Sequence, residues 1–164
     1  MATLLVKNID TLYTNDTDLG DMKGGAIFVR DNVIEQIGLT SELPATADRV
    51  IDARGKFILP GFVNTHHHFF QTLTRAVPGA QDEELFDWLV RLYPIFSELD
   101  SEATYVSSTI AMAELILSGC TTSSDHQYLW PGDSKLDDQI RAASEIGMRF
   151  HQLEIGRASC RERV

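Results

Sequence analysis

Residues 59–68 have the sequence LPGFVNTHHH, and this stretch decides the fold that we predict. A short apolar run ends in consecutive histidines. On an extended strand, residues i and i+2 point to the same side, so His66 and His68 can converge on one ion while His67 faces away. Imidazole nitrogens suit zinc, iron and related divalent metals. The stretch therefore predicts a buried strand that leads into a metal site.

The residues before this stretch carry strand signals. Two hairpins are predicted, with strands 26–30 and 33–37 in the first and 49–53 and 56–59 in the second. Asp31 and Asn32 form a two-residue connection that suits a tight turn, and Gly55 can take the positive φ that a tight turn needs. Residues 1–59 are too short for a closed sandwich, so we expect a partial β subdomain completed by strands from elsewhere.

Strands and helices alternate after the Pro60-Gly61 turn. The predicted order is strand 62–65, helix 82–92, helix 101–118, strand 120–125, helix 136–146 and strand 148–153. This alternation implies right-handed parallel crossovers. Two such units cannot close a barrel, so residues 60–154 form either a small open α/β sheet or the first part of a (β/α)₈ barrel.

Side-chain spacing predicts which helix faces are apolar. Pro94 should end or kink the first helix, and Gly119 and Gly147 are placed as C-terminal caps of the other two. The predicted apolar stripes are Leu85, Trp88, Leu89 and Leu92 on the first helix, Val106, Ile110, Ala113 and Leu117 on the second, and Leu136, Ile140 and Ala143 on the third.

Composition and net charge indicate which kinds of binding partner the protein has. The formal net charge is −10 and no block of consecutive basic residues occurs, which argues against a nucleic-acid or anionic-membrane binder and favours a small-molecule partner. The sequence shows no signal-peptide pattern and no apolar run of the ~20 residues that would span a bilayer. We therefore expect a cytoplasmic protein, in which Cys120 and Cys160 have no reason to pair.

Residues 155–164, with the sequence IGRASCRERV, do not continue the preceding pattern. This decapeptide resembles the in-frame translation of a sequencing adapter, so we predict that it is an artefactual tail and leave it out of the fold. A genuine basic C-terminal tail is the alternative. On the first interpretation Cys160 is not a biological cysteine.

The order of motifs resembles the metal-dependent amidohydrolase superfamily, in which a β subdomain leads through a Pro-Gly turn into a barrel strand that ends in His-x-His. Further segments resemble the branch that contains 8-oxoguanine deaminases and hydroxyatrazine ethylaminohydrolases. These segments are residues 66–78, 87–89, 118–126 and 147–151.

This resemblance implies a fold and part of a site. The fold would be the N-terminal part of a (β/α)₈ TIM barrel preceded by part of a composite urease-like β sandwich. His66 and His68 match the strand 1 metal ligands, for zinc or alternatively iron, and Gln71 matches a position that binds the polar edge of the purine ring. The family's downstream His, His, Asp and Glu map to no residue here, so the catalytic residues are unknown and the chain by itself is predicted to be inactive.

The function that the resemblance implies is hydrolytic deamination of a purine-like heterocycle, 8-oxoguanine to urate and ammonia, by a homo-oligomeric parent protein. One alternative is a triazine or cyclic-amide hydrolase that uses the same kind of metal site. Another is a non-catalytic α/β module. The zinc deaminases with His-x-Glu and Pro-Cys-x-x-Cys are excluded because Cys120 has no partner at that spacing. Asp125 and His126, at a strand end, are expected to make structural hydrogen bonds, with lining of the pocket as the alternative. The role of His151 is left open.

Overall fold

A computed structural model describes residues 1–152 of the chain. Contacts divide the chain into two compact units, Met1–Pro60 and Gly61–Val164. The proposed artefactual tail, with Cys160, lies outside the described residues. The strands are β1 (Thr3–Leu12), β2 (Met22–Arg30), β3 (Val33–Leu39), β4 (Arg49–Asp52), β5 (Phe57–Ile58), β6 (Phe62–Asn64), β7 (Cys120–Asp125) and β8 (Arg149–Gln152); the α-helices are α1 (Leu85–Phe96), α2 (Ser101–Leu117) and α3 (Leu136–Ile146); and 3₁₀ helices cover Phe69–Thr74 and Pro78–Ala80.

The first unit is one five-stranded sheet in the order β3-β2-β1-β4, with β5 also paired to β1. β2 and β3 form the predicted hairpin, since Arg30 pairs with Val33 in an antiparallel register. Asp31 has a φ of 54° in the turn, a left-handed conformation that Asp tolerates better than most residues. The buried side chains of Leu5, Ile9 and Phe28 form the core of this sheet.

The second predicted hairpin is wrong. β4 and β5 do not pair with each other; each lies parallel to β1, with Leu4 opposite Arg49 and Thr11 opposite Phe57. β1 is ten residues long, and its edge away from β2 accommodates both short strands in succession. The turn at Gly55, where φ is 71°, therefore shifts the chain along the same edge instead of reversing it.

The second unit contains a parallel three-stranded sheet in the order β6-β7-β8. α1 and α2 connect β6 to β7, and α3 connects β7 to β8, as the alternation predicts. Asn64 pairs with Ser123, which pairs in turn with Phe150. Because the strands are parallel, their carboxyl ends lie at one edge, and the segments that follow β6 and β7 meet there.

α1 differs from its prediction at both ends. It begins at Leu85 and continues through Pro94 to Phe96, so of the two predicted alternatives, an end or a kink, Pro94 does not end the helix. Pro94 lies in the last turn, and only Ile95 and Phe96 follow it before the helix ends. Leu92 and Phe96 are fully buried, whereas Leu85 is 56% exposed.

α2 and α3 have the predicted bounds to within one residue, but their buried faces agree only in part with the predicted stripes: Ala143 is buried as predicted, and the other buried residues differ. Leu117 is 87% exposed and Ile140 49% exposed. The buried residues are Thr104, Ser107, Ser108, Ala111 and Met112 on α2 and Gln139, Ala142 and Ala143 on α3. Small and hydroxylated side chains let these helices approach each other and the 3₁₀ helix Phe69–Thr74 closely. Among the described residues, no helix is both long and apolar enough to cross a bilayer.

Candidate functional site

The histidines lie in the segment that follows β6. β6 ends at Asn64, so His66 and His68 are not on an extended strand as predicted. Asn64 turns the chain, because its Oδ1 accepts the backbone N–H of His66 at 3.1 Å. The two side chains nevertheless converge: the Nε2 atoms of His66 and His68 are 3.3 Å apart. The ring of His67 packs instead against Phe69, with the ring centroids 4.8 Å apart.

This separation fits two ligands of one metal ion. Two nitrogens that each lie 2.0–2.1 Å from a tetrahedral zinc are about 3.3 Å from each other. His68 Nδ1 donates to the backbone carbonyl of His126 at 2.7 Å, which leaves Nε2 as the nitrogen with a free lone pair. Burial also lowers the pKa of His68, and the neutral imidazole is the form that binds metals.

Residues 1–152 supply only this pair. No group of three or more His, Cys, Asp or Glu side chains in the described residues has the geometry to hold a metal ion. His126 is close, with its ring centroid 4.5 Å from that of His66, but its Nε2 lies 3.2 Å from the carbonyl oxygen of Thr65. A catalytic zinc site needs at least three protein ligands, so further ligands must come from outside these residues.

Asp125 is a buried carboxylate at the end of β7. It accepts the backbone N–H of Phe69 at 2.7 Å and Nε2 of Gln139 at 2.6 Å. Gln139 Nε2 also lies 2.5 Å from Oε1 of Gln127, and all three side chains are at most 1% exposed. The expectation of a structural hydrogen bond at Asp125 is therefore confirmed. The two glutamines were not predicted, because their polar side chains carry no signal of burial.

The pKa of Asp125 gives a pH-dependent prediction. Burial raises this pKa to about 6, although the hydrogen bond from the Phe69 N–H opposes the shift. From about pH 4 to pH 6, folded Asp125 keeps a proton that the unfolded chain has released, so its contribution to stability falls as the pH rises. We expect the free energy of unfolding to drop by about 2 kcal/mol relative to Asp125→Asn between pH 4 and pH 7.

Urea unfolding of both proteins at a series of pH values measures this difference. The comparison with Asp125→Asn is needed because burial lowers the pKa values of His67 and His68, whose contribution to stability is lost as the pH falls. Both proteins share that effect, so it cancels. A difference that does not change with pH would contradict the prediction.

Gln71 lies beside the histidine pair on the 3₁₀ helix Phe69–Thr74. Its Nε2 donates to the hydroxyl of Tyr128 at 2.7 Å, and the ring of Tyr128 meets the ring of His68 edge-on at 5.2 Å. Tyr128 was not predicted, since a single aromatic residue three positions after a strand has no periodicity. The amide of Gln71 is thus oriented by a side chain that also contacts the metal-site candidate.

His151 lies on β8 and is exposed. It lines a shallow cavity of about 230 Å³. The other lining residues are Val63, Asn64 and Thr65, together with Thr122, Ser123 and Ser124 of β7. This cavity lies along the three strands, and neither His66 nor His68 lines it. The structure therefore does not bring His151 into the histidine pair.

Comparisons with known proteins identify the family. Residues 57–162 match the model of the amidohydrolase family. The 8-oxoguanine deaminase of Pseudomonas aeruginosa is 41% identical over 131 residues, which cover 79% of this chain and 29% of that protein. The hydroxydechloroatrazine ethylaminohydrolase of Pseudomonas sp. strain ADP is 38% identical, with 92% of this chain and 34% of that enzyme covered.

The fold is also that of solved structures. The zinc complex of atrazine chlorohydrolase TrzN from Arthrobacter aurescens TC1 matches with a TM-score of 0.83 at 25% identity, covering 94% of this chain and 37% of the other. This chain thus spans about a third of the length of these relatives. Of the two architectures left open by the sequence, the incomplete TIM barrel preceded by a β subdomain is confirmed.

Proposed function

This chain belongs to the amidohydrolase family, and on that premise we propose that it is the N-terminal part of a zinc-dependent aminohydrolase that releases ammonia from a purine-like heterocycle. The first candidate substrate is 8-oxoguanine, which would yield urate. The observation that carries this proposal is the pair of Nε2 atoms 3.3 Å apart on His66 and His68. The 41% identity to an 8-oxoguanine deaminase supports the choice of substrate.

His66 and His68 would hold the metal through Nε2. A divalent metal held there would lower the pKa of bound water to about 7 and so supply a nucleophile at neutral pH. His68 keeps its Nδ1 proton on the carbonyl of His126, which fixes the ring and its tautomer. We propose zinc, with iron as the alternative, since both accept imidazole ligands.

Gln71 would bind the heterocycle. Its amide nitrogen donates one N–H to Tyr128, so its Oε1 can accept an N–H from the polar edge of the ring, and its second N–H can donate to a ring acceptor. The remaining ligands and the carboxylate that moves protons from water to the departing ammonia lie beyond residues 1–152. We further propose that the complete protein is a cytoplasmic homo-oligomer.

Ammonia release by the product of the complete gene tests this function. The protein is assayed with 8-oxoguanine and with hydroxyatrazine, as purified, after chelation, and after Zn²⁺ is restored. We expect ammonia from 8-oxoguanine that disappears on chelation and returns with Zn²⁺. Deamination that persists in metal-free protein would refute the proposal.

A triazine hydrolase is the second candidate. It is favoured by the 38% identity to the ethylaminohydrolase, which extends over 92% of this chain. In the same assay this function would appear as ethylamine released from hydroxyatrazine, with no ammonia released from 8-oxoguanine. The two candidates share the metal pair and differ only in the groups that contact the ring.

Gln71→Leu tests the substrate contact. We expect the KM for 8-oxoguanine to rise about tenfold with a smaller change in kcat, because one hydrogen bond to the ring is lost. Steady-state kinetics measure this effect. Gln81→Leu is the matched control, since Gln81 is exposed and makes only 3.4 Å contacts to backbone carbonyls. Equal KM values in the two variants would remove Gln71 from the substrate site.

A further inference from the structure

We propose that Asp125 and His126, at the end of β7, are positioning residues that set the geometry of the His66 and His68 pair. This inference rests on the proposed function, since it assigns these residues a role only if the pair holds a metal. Neither residue needs to touch the metal or the substrate. Both would act through the segment 65–69, which carries the two histidines.

Four hydrogen bonds join the two residues to this segment. Asp125 Oδ1 accepts the N–H of Phe69 at 2.7 Å, and the N–H of His126 donates to the carbonyl of His67 at 2.9 Å. The carbonyl of His126 accepts Nδ1–H of His68 at 2.7 Å, and His126 Nε2 lies 3.2 Å from the carbonyl of Thr65. Four residues of the segment therefore have a main-chain or ring atom that is hydrogen-bonded to Asp125 or His126. These residues are Thr65, His67, His68 and Phe69.

Ring packing adds to these bonds. The ring of His126 lies 4.5 Å from that of His66, tilted by 35°, and 6.2 Å from that of His68 at 90°. No hydrogen bond to Nδ1 of His66 occurs among those described, and its ring packs against the rings of His126 and of His68, the latter at 4.9 Å. His126 thus contacts both histidines of the pair, His68 by a hydrogen bond and His66 by packing.

The groups behind Asp125 are buried, and one of them lies on α3. Gln139 on α3 donates to Asp125 Oδ2 at 2.6 Å, and Gln127 continues the network to the carbonyl of Leu129 at 2.9 Å. On the other side, the carbonyl of Phe69 accepts the hydroxyl of Ser107 on α2. Phe69 is consequently held at both its N–H and its C=O, one residue after His68.

The hydrogen bond from the N–H of Phe69 to Asp125 differs from other buried hydrogen bonds because it fixes the backbone next to a proposed metal ligand. Removing Asp125 leaves the buried N–H of Phe69 without its acceptor, in the peptide unit directly attached to His68. The expected consequence is a change in the separation and direction of the two Nε2 atoms. Groups that orient metal ligands in this way affect metal affinity by about 10–100-fold when they are removed.

Co²⁺ binding by the product of the complete gene tests the proposal, because its visible spectrum reports ligand geometry. Asp125→Ala should weaken Co²⁺ binding about 10–100-fold and change the spectrum. Asp125→Asn keeps an oxygen that can accept the Phe69 N–H, so it should restore the affinity and spectrum to near those of the unsubstituted protein. His126→Phe keeps a ring against His66 but loses the bond to Thr65, and should weaken binding about tenfold.

Thr104→Val is the matched control. It removes a buried side-chain hydrogen bond of the same unit, from Thr104 Oγ1 to Ser134 Oγ at 3.0 Å, but has no bond to the segment 65–69. If Asp125→Ala binds Co²⁺ with the affinity and spectrum of Thr104→Val, or if Asp125→Asn is as impaired as Asp125→Ala, the proposal is overturned. If Asp125→Ala does not fold, His126→Phe is compared with Thr104→Val instead. Unchanged Co²⁺ binding by His126→Phe would then overturn the proposal.

The double variant His66→Ala, His68→Ala separates this inference from the proposed function. Loss of Co²⁺ from the double variant together with normal binding in the Asp125 and His126 variants refutes the positioning role alone. Retention of Co²⁺ by the double variant refutes the metal site itself, and the positioning role with it.

Discussion

Alanine at both His66 and His68 is expected to remove the metal from the complete protein and to lower kcat/KM for ammonia release at least about 10³-fold. The two Nε2 atoms are 3.3 Å apart, so in the proposed site they would share one ion, and the loss of two of its ligands would leave fewer than a catalytic site requires. Without the ion, water at neutral pH is too weak a nucleophile to attack the ring. Metal content per subunit and steady-state kinetics measure the two effects.

His67→Ala is the control for this experiment. It changes the same residue type in the same segment, but the ring of His67 packs against Phe69 and away from the pair. The control should retain its metal and most of its activity. A double variant that keeps a full complement of metal would show that the pair is not the site.

Gly61→Ala is expected to destabilise the protein by about 3 kcal/mol, a large effect for one methyl group. A Cβ at this position would lie 2.1 Å from Oγ1 and 2.8 Å from Cβ of Thr121, and no rotation of the Thr121 side chain moves its Cβ away. β6 would have to separate from β7, although the N–H of Phe62 bonds to the carbonyl of Gly119 at 2.9 Å. The urea midpoint of unfolding measures the loss.

Gly79→Ala is the matched control for the glycine substitution. The nearest atom to a Cβ there is Nη1 of Arg91, at 3.8 Å, and its φ is not positive, so the free energy of unfolding should change little. Adding Thr121→Gly to Gly61→Ala should recover part of the loss, since it removes the clashing atoms. Equal midpoints for Gly61→Ala and Gly79→Ala would show that β6 and β7 are not packed as closely as described.

The sequence predicted the elements of the second unit well because its strands are short and bounded by strong signals. Cys120–Asp125 and Leu136–Ile146 have the predicted limits, and Gly147 caps the helix with a φ of 81°. The i, i+2 spacing of His66 and His68 also predicted that their rings converge. It could not predict that the segment leaves the strand at Asn64, because the turn depends on one side-chain hydrogen bond.

Helix periodicity identified apolar stripes but not the faces that are buried. On α2 the stripe ending at Leu117 is largely exposed, while Thr104 and Ser107 are buried. Periodicity reports which face is apolar, whereas burial depends on which elements the chain places against the helix. Here the elements are α3 and the 3₁₀ helix after His68, and close approach to them favours small hydroxylated side chains.

The polar network behind the metal-site candidate was beyond prediction for a related reason. Gln127 and Gln139 are residue types that are mostly exposed, so nothing in their positions indicates burial. Asp125 was expected to make a structural hydrogen bond, but its partner, the N–H of Phe69, is 56 positions earlier in the chain. Contacts of this kind follow from the parallel sheet as a whole and from no local pattern.

The pairing of β4 and β5 with a single edge of β1 has a consequence for synthesis on the ribosome. β1 can pair with β2, and β2 with β3, once residue 39 has emerged, but the other edge of β1 stays uncovered until residues 49–58 follow. An uncovered strand edge is a template for pairing with another chain. Between residues 39 and 58, the hairpin-paired sheet therefore still presents an edge of β1 that a neighbouring nascent chain could pair with.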